Sequence, residues 1–143
     1  MPYTAAEVHA IGLAEVQRIS TRMRLECMQE LGFAEGQQEE FAHFMRTEKR
    51  FYRDTPEQLL EYYKGVLSRI NALLPAFFLE QPKCPLEILP RSDGPSAFYL
   101  AGTADGKRPG RFYVNVSNCG QRSVCDAVAL ALHEGVPGHH MQV

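Results

Sequence analysis

No uninterrupted apolar run in this sequence approaches the about 20 residues that a membrane-spanning helix needs. Its start, Met1-Pro2-Tyr3-Thr4, enters a helical pattern at once and lacks the charged-then-apolar layout of a signal peptide. The compartment is therefore left unassigned. An excess of one charge is missing too: 15 Lys and Arg stand against 17 Asp and Glu, a formal net charge of −2. Bulk electrostatics thus recruits neither nucleic acid nor an anionic membrane. Cysteine is scarce, with Cys27, Cys84, Cys119 and Cys125 too scattered for a disulfide scaffold. The spacing of Cys119 and Cys125 matches no zinc or redox motif, and Cys27 and Cys125 fall in helical patterns where a small buried thiol is expected. Internal repeats and low-complexity segments are absent.

What is there reads as a globular chain. A content of 45% hydrophobic and 22% charged residues excludes a disordered or collagen-like polymer. The 143 residues make about one domain. At this size a chain buries roughly 68–70% of its unfolded surface, enough for a core without disulfides.

Thr4-Ala5-Ala6-Glu7 spells a capping box, and Val8, Ile11, Val16, Ile19, Met23, Cys27 and Leu31 follow near helical spacing up to Gly32. Gln37 to Arg46 predicts a shorter amphipathic helix with Phe41, Phe44 and Met45 on one side. Asp54-Thr55-Pro56-Glu57 is a further start signal, with Pro56 in the first turn, where its missing amide costs nothing. An apolar face then runs from Leu59 through Leu74 and is interrupted by Pro75. After Glu80 prolines punctuate short runs rich in aromatic and β-branched residues: 86–89, 97–100 and 111–116. Ala104-Asp105-Gly106-Lys107 is the turn of an antiparallel hairpin with a long loop. Ser123 to Leu132, dense in Ala, Val and Leu, predicts a buried helix. The expectation is an α+β chain: N-terminal antiparallel helices over 1–80, then a small antiparallel sheet and a last helix over 81–143.

That helix runs into Leu132-His133-Glu134-Gly135-Val136-Pro137-Gly138-His139-His140, which holds three of the five histidines within eight residues. His-Glu at the end of a buried helix opens the zincin signature H-E-x-x-H. There two imidazoles one turn apart bind zinc and the Glu serves as general base. The spacing here departs from that pattern. Histidines at i and i+4 lie about 40° apart around a helix, whereas His139 would point about 120° from His133. His140 would share the face of His133 but lie about 10.5 Å further along the axis. A regular helix therefore brings neither into one coordination sphere with His133. Pro137, which has no amide proton, and Gly138, which tolerates unusual dihedrals, permit a kink that returns a histidine to the metal. They equally permit a simple helix end, with His139 and His140 as solvent-facing residues near the C-terminal dipole.

His133 to Gln142 resembles the H-E-x-x-P-G-H-x-x-Q hallmark of the bacterial domain-of-unknown-function family 885. That family is regarded as zincin-like and related to gluzincin metallopeptidases. Thr4 to Val16 is similar to its T-x-x-E-x-H-x-x-G-L-x-E-V segment, and Gly110 to Asn115 to its G-x-F-Y-x-N strand. The three motifs come in the family's order and span essentially the whole chain. The resemblance implies a partial zincin-like fold, with zinc held by His133 and His139 and Glu134 as general base. His140 is a secondary candidate ligand, since the hallmark keeps the first histidine after Pro-Gly and varies the second. The third ligand would be a carboxylate downstream of Val143. The 143 residues then read as a fragment of a longer peptidase, inactive by itself and with weakened metal binding.

Tyr113 and Asn115 alternate onto one face of their strand, where either a substrate-facing or a sheet-packing role is open. His9 and Glu15 match the first family segment and read as cleft residues or as a buried polar pair. The expected partner is a peptide or other amide substrate; the oligomeric state is open. The alternative is a non-catalytic interaction module whose histidines bind metal structurally or not at all.

Overall fold

The computed structural model describes residues 3–103 and 105–142. The chain forms two compact units, one ending at Thr47 and one beginning at Glu48. Among the described residues no helix is long and apolar enough to cross a membrane.

In the first unit, helix α1 (Ala5–Arg22) starts at the expected capping box. The Thr4 hydroxyl accepts from the Glu7 amide, and the Glu7 carboxylate accepts from the Thr4 amide. Helical winding widens into a π segment over Met23–Met28 and stops at Gly32, whose φ of +82° suits glycine. Helix α2 (Gln38–Thr47) buries Phe41. Phe33 packs against both Phe41 and Phe44. Two sequence expectations change here. His9 and Glu15 are exposed, not a buried pair, and Glu15 pairs with Arg18 through both carboxylate oxygens. Cys27 is exposed as well, as is Cys125 in the second unit, while Cys119 is buried.

The second unit is organised by helix α3 (Pro56–Phe77). Thr55 accepts from the Gln58 amide and Pro56 occupies the first turn. The helix buries Leu59, Tyr63, Val66, Leu67, Ile70 and Leu74, one stripe at helical spacing. Each such fully buried aliphatic side chain contributes about 1.5–3 kcal/mol. Pro75 does not interrupt the helix. It lies in the last turn on the exposed side, where solvent takes over the carbonyl it leaves unbonded.

Strands β1 (Leu86–Arg91), β2 (Ala97–Leu100) and β3 (Gly110–Asn115) form a sheet in the order β1-β3-β2. The expected hairpin is present: β2 and β3 pair antiparallel, Ala97 opposite Val114 and Leu100 opposite Arg111. Ala104 of the anticipated turn lies outside the described residues. The sheet is mixed, not wholly antiparallel, because β1 pairs parallel with β3 from Leu86–Gly110 to Arg91–Asn115. Phe112 and Val114 point into the core, and Phe112 meets Tyr63 edge to face at 5.5 Å. The result is an α+β fold, as the sequence suggested.

Candidate metal centre

The last helical stretch is shorter and less buried than its composition suggests. Helix α4 covers only Ala127–Leu130, and a π-helical turn follows over Ala131–Gly135. Ala127, Ala131 and Gly135 make its buried stripe, while Val128 and Leu132 remain 46% and 40% exposed. Small residues on that stripe let the backbone approach α3: a β-carbon on Gly135 would stand 2.8 Å from Leu67 Cδ2. His133 and Glu134 follow the stripe's last alanine and lie off it.

Helical winding does not end there. The chain turns at Val136 and Pro137, joined by a cis peptide bond, and resumes as helix α5 (Gly138–Gln142). Gly138 is the tightest point of this turn, since any side chain on it would collide with the carbonyl oxygens of Leu132 and His133. The wide turn and the kink together change the angular relation that a straight helix imposes. The rings of His133 and His139 come to 4.9 Å between centroids, at 80° to each other.

His133, Glu134 and His139 each present a ligand atom, and these atoms lie within 4.8 Å of one another. Glu134 is the sheltered member: its side chain is 13% exposed against 41% for His139, and its Oε2 stands 3.9 Å from His139 Nε2. The other ring nitrogen of His139, Nδ1, faces Gln142 Oε1 at 3.3 Å. An amide oxygen only accepts, so Nδ1 donates in this pairing, and in the neutral ring Nε2 is then the acceptor on the Glu134 side. Tyr99 of β2 stacks over His139, with centroids 6.1 Å apart and planes at 18°.

Two imidazoles and a carboxylate are a donor set that suits zinc. Donors held at about 2.0–2.1 Å in a tetrahedron lie about 3.3 Å from each other, so the three ligand atoms stand somewhat wider apart than a bound ion requires.

His140 is placed differently. It is buried, and both ring nitrogens are engaged: Nε2 with the Cys84 carbonyl at 2.8 Å and Nδ1 with the Tyr99 hydroxyl at 3.0 Å. Burial pushes the Tyr99 phenol above its ordinary pKa. A cavity of about 550 Å³ is lined by Lys83, Cys84, Tyr99, Gly102, His140 and Met141.

Tyr113 and Asn115 are not part of this cluster. Tyr113 stacks on Phe98 at 4.9 Å. Asn115 donates to the Gly94 carbonyl and accepts from the Ser117 amide and hydroxyl. Their strand, β3, lies between β1 and β2, so both of its edges are paired, and among the described residues the edge of the sheet on that side belongs to β2. Tyr99 carried no sequence signal beyond an aromatic in a strand pattern. Gln142 is the last residue of the hallmark and was visible only through it.

A family model described as "Bacterial protein of unknown function (DUF885)" matches residues 1–143. The crystal structure of "the putative lipoprotein from Colwellia psychrerythraea" is similar over 99% of this chain, with 28% identity and a TM-score of 0.81. The matched part is 26% of that longer chain, so the present sequence spans about a quarter of its length. No curated protein matches.

Proposed function

The chain belongs to the DUF885 family of bacterial proteins of unknown function, and from the site itself we propose that it carries the metal-binding and base residues of a zinc-dependent peptidase-like hydrolase. The observation that supports this most is the convergence of His133, Glu134 and His139 across the kink, with ligand atoms within 4.8 Å. His133 and His139 would hold the ion. A catalytic zinc takes three protein ligands, and we assign the third to a residue outside 1–143. Bound there, zinc supplies a Lewis acid for a scissile carbonyl and lowers the pKa of water.

The remaining chemistry belongs to the chain's own residues. Glu134, sheltered beside the two rings, takes a proton from the attacking water and passes it to the leaving amine. Strand β2, an edge of the sheet among the described residues, offers its outer side to an extended substrate, and the cavity beside Tyr99 gives that substrate room. The substrate class is a peptide or another amide, since the same chemistry cleaves both.

A second reading, a structural metal site in a non-catalytic module, draws on the same distances, because Glu134 Oε2 is close enough to become a ligand. Glu134→Gln in the full-length protein separates the two. On the catalytic reading it keeps zinc and loses hydrolysis. If Glu134 is a ligand, zinc affinity falls with it. Undiminished hydrolysis removes Glu134 from the mechanism.

A further inference from the structure

His140 neither holds the ion nor moves a proton in that scheme, yet it is the most enclosed polar side chain of its segment, 5% exposed. The Cys84 carbonyl, 2.8 Å from Nε2, can only accept, so Nε2 carries the proton. In the neutral ring Nδ1 is then an acceptor, and the Tyr99 hydroxyl at 3.0 Å donates to it. The same Tyr99 ring stacks over His139. Gly110 leaves space for the pair, because a β-carbon there would stand 2.5 Å from both His140 Nδ1 and the Tyr99 hydroxyl. Helix α5 has only five residues, too short to hold its own position. Met141 packs against the core, and His140 ties the helix to three places: the chain before β1, the middle of β2 and the first residue of β3.

We propose that Tyr99 and His140 form a positioning clamp that docks α5 on the sheet and so sets the ring of His139 against His133. The two adjacent histidines then have separate tasks: His139 faces the ion and His140 anchors the helix that presents it. Tyr99 joins them, bonded to one and stacked on the other. The consequence for metal affinity rests on the function proposed above; the placement of the His139 ring does not.

Two measurements on the full-length wild-type protein and its Tyr99→Phe variant test the clamp. One is ¹⁵N NMR of the histidine rings in metal-free protein; the other is a zinc titration against a chromophoric chelator. Tyr99→Phe keeps the ring and removes only the hydroxyl, so its far-UV circular dichroism should match wild type. We expect the ring resonances of both His139 and His140 to shift and zinc affinity to fall about tenfold or more. Gly110→Ala, which alters no proposed ligand, should give the same signature. His140→Gln keeps a donor for the Cys84 carbonyl and drops the Tyr99 partner, and it serves if Tyr99→Phe does not fold. Unchanged His139 resonances overturn the clamp whatever zinc does, and an unchanged zinc affinity overturns its role at the metal. A wild type that binds no zinc overturns the metal reading, and the resonances then judge the clamp alone.

Discussion

Gly135 packs so tightly on Leu67 that the π turn bearing His133 and Glu134 rests on α3 with no room for a methyl group between them. Leu67 is buried and can yield only at the expense of its neighbours in the α3 stripe.

Gly135→Ala should therefore destabilise the protein by about 1–3 kcal/mol, the cost of overpacking a core site. Adding Leu67→Val, which shortens the side chain that is struck, should recover part of the loss. Denaturant titrations of the single and double variants measure this as a coupling energy. Strictly additive losses would mean that the two residues do not meet.

Gly138→Ala acts at the kink. Its new methyl group would collide with the carbonyls of Leu132 and His133, which are backbone and cannot rotate away. We expect a loss at or above the same roughly 1–3 kcal/mol and, in whatever folded protein remains, weaker zinc binding than wild type. Wild-type stability would show that α5 is not held where the structure puts it.

Tyr63 governs behaviour in alkali. Burial, helped by the nearby Asp126 carboxylate, pushes its phenol from 10 up to about 12. Between about pH 10 and 12 the unfolded chain has lost a proton that the fold retains, so stability falls as pH rises through that window. Below it the contribution is complete. Tyr63→Phe should flatten this part of the pH–Tm curve; an unaltered slope would place its origin elsewhere.

Much of the fold was legible in the residues because its causes are local. Thr4 and Glu7 cap α1, Thr55 and Pro56 start α3, and the stripe from Leu59 to Leu74 buries one face, each within a few turns of chain. The β2–β3 hairpin follows from two adjacent strand patterns and a turn signal. The parallel pairing of β1 with β3 has no such local cause: Leu86 meets Gly110 across an intervening strand. The α1 face was legible as a pattern but not as exposed surface, since spacing shows which residues share a side and not what covers them.

The centre was half legible. Residue types at 133, 134 and 139 pointed to metal chemistry, while ideal helix geometry set the two rings about 120° apart. Their 4.9 Å approach depends on a π turn and a kink that no periodicity signals. Pro137 and Gly138 were its local traces, read as permitting a kink but equally compatible with a plain helix end. The Tyr99–His140 contact spans 41 residues and has no signature in sequence.

The most direct test of the metal centre is X-ray absorption at the zinc edge, combined with zinc stoichiometry, on the full-length wild-type protein and its His133→Ala and His139→Ala variants. We expect one zinc with two imidazole nitrogens at about 2.0–2.1 Å in wild type, and loss of stoichiometric zinc in each variant. A wild type that binds no zinc, or variants that bind it unchanged, would contradict the account.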